Sequence, residues 1–73
     1  MSMNIECITQ GVDLWIARNK NGSLFLFVEQ KPYKEGDWWE IFSYQYFALD
    51  DSLFPEVQWS DEEPTRVRLV IAK

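Results

Sequence analysis

The stretch DLWIARNKNGSLFLFVE, residues 13–29, decides the fold. DLWIAR and SLFLFVE are short runs of β-forming residues, and NKNG between them is a turn signal, so the stretch reads as a β-hairpin. Two turn geometries compete. A two-residue type I′ turn at Asn21-Gly22 sets Leu14 and Ile16 on the same face as Phe25 and Phe27. A type I turn followed by Gly22 in the left-handed conformation, a G1 bulge, sets them with Leu24, Leu26 and Val28 instead. The bulge also gathers Trp15, Ala17, Phe25 and Phe27 on the other side. A shift of one residue separates the two patterns, and it moves every side chain to the opposite face. The bulge is preferred, because it sorts aliphatic from aromatic residues and because Asn suits the first position of a type I turn. In either register both faces of the hairpin are apolar.

Outward from the hairpin, QKPYKEG (residues 30–36) reads as a polar loop broken by Pro32 and Gly36. A third strand is expected over residues 37–42, with Trp39 and Ile41 on one face and Trp38 and Phe42 on the other. A break at residues 43–45 precedes a short strand at residues 46–49. Within residues 50–64, Asp50 or Ser52 could cap one helical turn ended by Pro55, so a 3₁₀ or irregular segment is expected. Leu53, Phe54 and Trp59 read as its anchors to the sheet. In TRVRLVIA (residues 65–72), Val67, Leu69 and Ile71 alternate with Arg66, Arg68 and Val70, the pattern of a half-buried strand. MNIECIT (residues 3–9) reads as a further strand. The expected fold is one small all-β domain over residues 1–73. It is an antiparallel, strongly bent sheet or partly open SH3-like barrel of four to six strands.

The chain has 73 residues, so its stability margin is thin and it needs dense packing, a staple or a partner. Cys7 is the single cysteine and there is no histidine, which excludes an intrachain disulfide and argues against structural zinc. Ring packing is the remaining device, since each large aromatic buries on the order of 150–250 Å². The net charge is −5, from 12 acidic and 7 basic residues, which argues against nucleic acid or an anionic membrane as partner. The start, MSMNIECITQ, lacks the basic and apolar regions of a signal peptide. With the lone cysteine it sets the expectation of a reducing, cytoplasmic location.

The segments WIARNKNGSLFLF and LFPEVQWSDEEPTRVRL together resemble a group of short bacterial proteins often encoded near prophages and mobile elements. The resemblance rests on Trp15, Ile16, Ala17, Arg18, Gly22, Leu24, Leu26 and Phe27. In the second half it rests on Leu53, Phe54, Pro55, Glu56, Trp59, Asp61, Pro64, Val67 and Leu69. It implies an accessory or phage-derived setting and carries no activity, ligand or catalytic residue.

Catalytic chemistry has little to draw on. Histidine, the commonest general base, is missing. Cys7 would need a lowered pKa to act as a nucleophile, and the neighbouring Glu6 pushes the other way. Asp50-Asp51 and Asp61-Glu62-Glu63 lack calcium-loop spacing and read as a cap and a solvated loop. The expectation is a protein that is not an enzyme, with no catalytic residue, metal or cofactor.

Trp38, Trp39, Phe42, Tyr44, Tyr46 and Phe47 crowd one stretch. Exposed rings on a sheet can stack bases, yet Lys31, Lys34, Arg66 and Arg68 are outnumbered by nearby acids. Conversely, Asp50, Asp51, Glu56, Asp61, Glu62 and Glu63 could form a negative stripe that mimics DNA. Single-strand binding and DNA mimicry are the alternatives. The leading expectation follows from the two apolar faces. A single layer has one interior, so the second face must be shielded by the segment bearing Leu53, Phe54 and Trp59, or by another molecule, such as a second copy related by a two-fold axis. Partial cover would leave an aromatic patch around Trp15, Trp38 and Tyr44. The candidate partner-binding residues are therefore Trp15, Trp38, Phe42, Tyr44 and Tyr46, and the expected partner is another protein or a second copy of the chain.

Overall fold

Alternating side chains and tight turns produce six short strands in the computed structural model, which describes residues 13–43 and 45–68. They are β1 (Leu14–Arg18), β2 (Leu24–Val28), β3 (Tyr33–Glu35), β4 (Trp38–Glu40), β5 (Tyr46–Leu49) and β6 (Thr65–Val67). β1, β2, β5 and β6 form an antiparallel sheet in the order β5-β2-β1-β6. β3 and β4 form a separate two-stranded sheet. No helix occurs among the described residues, and the larger sheet is not closed into a barrel. The expected strand at residues 3–9, the tail beyond Arg68 and Tyr44 lie outside the described residues.

The β1–β2 turn is the bulged one. Gly22 N–H donates to the Asn19 carbonyl at 2.9 Å, closing a type I turn, and Gly22 follows at φ 96°. Asn19 N–H then donates to the Ser23 carbonyl at 2.8 Å and restarts the ladder. Leu14 pairs with Val28, Ile16 with Leu26, Trp15 with Phe27 and Ala17 with Phe25. Aliphatic and aromatic residues therefore fall on opposite faces, as the turn chemistry requires.

Two different parts of the chain cover these faces. On the aliphatic side Ile16 and Leu24 are buried with Val57, while Leu26, Leu49 and Val67 pack around them. On the aromatic side Ala17 and Phe27 are buried with Trp39, flanked by Phe25, Ile41 and Trp59. Burying one such side chain contributes roughly 1.5–3 kcal/mol, so both clusters matter in a domain of this size.

The main cover of the aromatic face differs from expectation. Residues 33–35, read as polar loop, are strand β3 and pair with β4 across Gly36-Asp37. Gly36 has φ 62° and Asp37 has no positive φ, the pattern of a type II′ hairpin turn. The hairpin turns one face inward, carrying Trp39 and Lys34, because these two are directly paired. Lys34 Nζ sits 4.2 Å from the Trp59 ring centroid and 5.3 Å from that of Trp39. It also donates to the Trp59 carbonyl at 2.8 Å. The two indoles meet edge to face at 6.4 Å.

The anchors of residues 50–64 also differ. Leu53 and Phe54 are exposed, and Val57 is the buried residue. The segment is irregular and built of successive turns, with Leu53 N–H donating to Asp50, Val57 N–H to Phe54 and Asp61 N–H to Gln58 carbonyls. Arg18 holds it in place. Its Nε donates to the Val57 carbonyl at 2.7 Å, Nη1 to Gly22 and Asp51, and Nη2 to Leu53 and Phe54. All five guanidinium donors are thus used on main-chain oxygens.

Candidate functional site

The sheet and the small hairpin are hydrogen-bonded to each other at the β1–β2 turn, beside the packing of Trp39 on Ala17 and Phe27. Asn19, the first residue of the β1–β2 turn, is buried, and its Oδ1 accepts the Trp39 N–H at 2.8 Å. Trp39 Nε1–H donates to the Arg18 carbonyl at 3.1 Å, and Lys20 N–H donates to the Asp37 carbonyl at 3.1 Å. From this junction the aromatic face of the sheet and strand β4 separate into a cleft of about 180 Å³. Phe25, Phe27 and Tyr46 line the sheet side, and Trp38, Glu40 and Ile41 the hairpin side. Clefts that enclose small-molecule ligands run to roughly 300–1,000 Å³. An apolar cavity of roughly 150 Å³ holds one benzene ring, so this cleft matches a single side chain.

The rings on its sheet side pack against one another. Tyr46 meets Phe25 edge to face at 6.0 Å and Phe27 at 6.1 Å. Trp38 and Tyr46 remain 47% and 46% exposed. Phe42 is 84% exposed and meets the exposed Tyr33 at 5.5 Å on the hairpin. Large rings held in water beside a packed core are the kind of apolar surface associated with binding.

Of the residues singled out from sequence, Trp38, Phe42 and Tyr46 are exposed, and Trp38 and Tyr46 flank the same cleft. Trp15 is corrected. It is only 9% exposed, because Arg66 is its neighbour on β6 and the guanidinium lies 5.5 Å from the indole centroid, paired with Asp13. Asp13 takes Arg66 because β1 and β6 are adjacent. Tyr44 falls outside the described residues.

The charges follow a pattern. Lys20 pairs with Asp37 at 3.8 Å and Lys31 with Glu63 at 2.7 Å. Arg66 is taken by Asp13, Arg18 by carbonyl oxygens and Lys34 by two indoles. Glu40 on the cleft rim, and Asp50 and Asp51 after β5, have no cationic partner among the described residues. Several acids have main-chain duties instead. Asp50 Oδ1 accepts the Ser52 N–H at 2.8 Å and its hydroxyl at 2.6 Å, which hold the Asp50 carboxyl below the usual carboxylate range. Asp51 accepts the Leu24 N–H and Asp61 the Gln58 N–H.

A second hollow of about 330 Å³ lies between Lys31, Tyr33, Lys34, Trp39, Glu62 and Glu63, and the Lys31–Glu63 ion pair belongs to its wall. Among the described residues no three His, Cys, Asp or Glu side chains come together as metal ligands. Nor is any helix there long and apolar enough to cross a membrane. Asn19 and Val57 were missed as organising residues. Asn19 was visible as a turn former, but its second contact reaches twenty residues away.

Compared with protein-family models, with curated proteins and with solved structures, the chain matches none of them. Its function is therefore argued from this geometry.

Proposed function

We propose that this protein is a non-enzymatic binding module that captures another protein on the aromatic surface formed by Trp38, Tyr46 and Phe42. The observation that carries this reading is the exposure of Trp38 and Tyr46 beside one ring-sized cleft that both line. Both walls are braced, by Phe25 and Phe27 behind Tyr46 and by the Asn19–Trp39 junction behind the hairpin. A partner's side chain would enter a site that already exists, which limits the ordering cost of association.

The charge pattern favours protein over nucleic acid. A base-stacking platform works beside a basic groove. Here the cleft carries Glu40 and no lysine or arginine on its walls. The absence of histidine and the committed roles of Asp50, Asp51 and Asp61 support a non-catalytic reading. The lone cysteine fits action in a reducing compartment, and the resemblance to prophage-associated proteins fits an accessory role.

The double variant Trp38→Ser/Tyr46→Ser tests the surface. Immobilised wild type and variant are exposed to the same cell extract, and the retained proteins are quantified. The variant should keep its secondary structure and lose the proteins wild type retains. Full retention by a folded variant removes these rings from the contact surface.

A further inference from the structure

The partner's chemistry follows from the edge of the larger sheet beside the cleft. Among the described residues β5 forms one border of that sheet, and β2 is its neighbour on the inner side. Val28 N–H donates to the Gln45 carbonyl at 2.9 Å. In an antiparallel ladder, main-chain groups alternate between facing the neighbour and facing away. The 28–45 contact continues the β2–β5 register, so Phe47 and Leu49 bond inward to β2. The N–H and C=O groups of Tyr46 and Ala48 consequently point outward. The strand, Tyr46-Phe47-Ala48-Leu49, carries no lysine, proline or other charge of the kind that guards sheet edges.

Side chains and charge narrow the occupant. Ala48 pairs with Phe25, which lines the cleft, and so sets a small side chain on the same face of the sheet between the edge and Phe25. Glu40 on the cleft rim and Asp50 after the strand are acids with no cation beside them among the described residues, while Lys20, Lys31 and Arg66 are paired with other acids, Lys34 lies over two indoles, and Arg18 bonds main-chain carbonyls that include that of Asp51. A second copy would bring another net charge of −5 against this one.

Resting on the binding reading above, we infer that β5 accepts an extended, lysine-rich segment of another protein as a fifth strand, with one aromatic side chain of that segment seated in the cleft over Phe25. Main-chain bonds to Tyr46 and Ala48 hold the segment, the acids select its charge, and the cleft selects the ring. Four residues of edge pair with about four residues of a partner segment at strand spacing, so a probe of about seven residues spans them.

The probe is the labelled peptide Lys-Lys-Val-Phe-Val-Lys-Lys, which when extended sets two lysines on the face of its phenylalanine, titrated at low ionic strength with fluorescence anisotropy as readout. Three changes should each weaken binding at least about tenfold. They are replacement of every lysine in the peptide by glutamate, N-methylation of alternate peptide amides, and the protein variant Ala48→Pro. Ala48→Pro removes an outward N–H and no internal ladder bond, so the variant should fold. If it does not, the N-methylated peptide decides the question without a variant. Binding indifferent to N-methylation but lost in Trp38→Ser/Tyr46→Ser overturns strand addition and leaves the aromatic surface intact. Binding indifferent to all of these changes overturns both. No binding at millimolar peptide overturns the inferred partner chemistry, as does sedimentation of wild type as a dimer that Ala48→Pro dissociates, which would make the occupant a second copy.

Discussion

Replacing Arg18 should cost this domain a large share of its stability. The guanidinium spans from the β1–β2 turn to the irregular segment, donating to Gly22, Asp51, Leu53, Phe54 and Val57 carbonyls at 2.7–3.2 Å. The contacts to Asp51, Leu53 and Phe54 are exposed, and water replaces them at little cost. Those to Val57 and Gly22 are partly buried. A charge-assisted bond contributes about 1.5–3 kcal/mol when shielded, so about 1 kcal/mol each is reasonable at partial exposure. Release of the segment also loosens Val57 over Ile16 and Leu24, adding up to about 1 kcal/mol. Arg18→Ala should therefore destabilise by about 2–3 kcal/mol, against a total of about 5 kcal/mol for a domain this small. At roughly 4–8 °C per kcal/mol, Tm should fall by about 10–20 °C. Arg18→Lys should recover less than half, because a lysine ammonium has three donors and no planar fork. Urea unfolding followed by tryptophan fluorescence measures both variants. An Arg18→Ala change below about 0.5 kcal/mol, or full recovery by lysine, would refute the clamp.

Three further outcomes are expected. Asn19→Ala strips the acceptor from the buried Trp39 N–H and should cost about 1–3 kcal/mol in the same unfolding assay; a change within error would show that this contact does not brace the hairpin. Phe54 has φ 50°, a conformation that asparagine tolerates and β-branched residues resist, so Phe54→Val should be about 1–2 kcal/mol less stable than Phe54→Asn. Equal stabilities would mean the segment relaxes. The Asp50 carboxyl titrates below its unfolded value because the Ser52 hydroxyl and N–H bond its charged form. Its contribution is present above the unfolded pKa and fades as pH falls through the lowered folded value, so Asp50→Asn should flatten the acid limb of stability against pH. Superimposable acid limbs would exclude Asp50 from that dependence.

The elements legible in sequence are those whose cause is local. Asn19 and Gly22 fix the bulged turn, and the turn fixes which side chains share a face across β1 and β2. Tyr46–Leu49 was legible as β-formers after a break. The β3–β4 hairpin was not, because Tyr33-Lys34-Glu35 has no apolar alternation and Pro32 suggests a loop. Gly36-Asp37 is nonetheless a two-residue hairpin signal, and given its weight it would have found the cover of the aromatic face. Of the large residues in 50–64, Trp59 packs against the sheet's aromatic cluster as side-chain size suggests, but small Val57 is buried while Leu53 and Phe54 are wet. Arg18 carries no periodic signature, and its carbonyl acceptors lie up to 39 residues away. Trp38, Phe42 and Tyr46 were recognisable as surplus to one interior. Trp15 was grouped with them because its cover, Arg66, arrives from a distant strand.

The chain covers both faces of its own sheet and leaves a defined set of rings in water. Hydroxyl-radical footprinting with residue-level tandem mass spectrometry, which separates the adjacent Trp38 and Trp39, tests this most directly, since the tryptophans differ sharply in exposure. Trp15 and Trp39, at 9% and 6%, should be protected in the native protein, while Trp38 at 47% and Phe42 at 84% should be oxidised rapidly. Oxidation of Trp39 at the rate of Trp38 would mean that the small hairpin does not close over the aromatic face, and the account would fall with it.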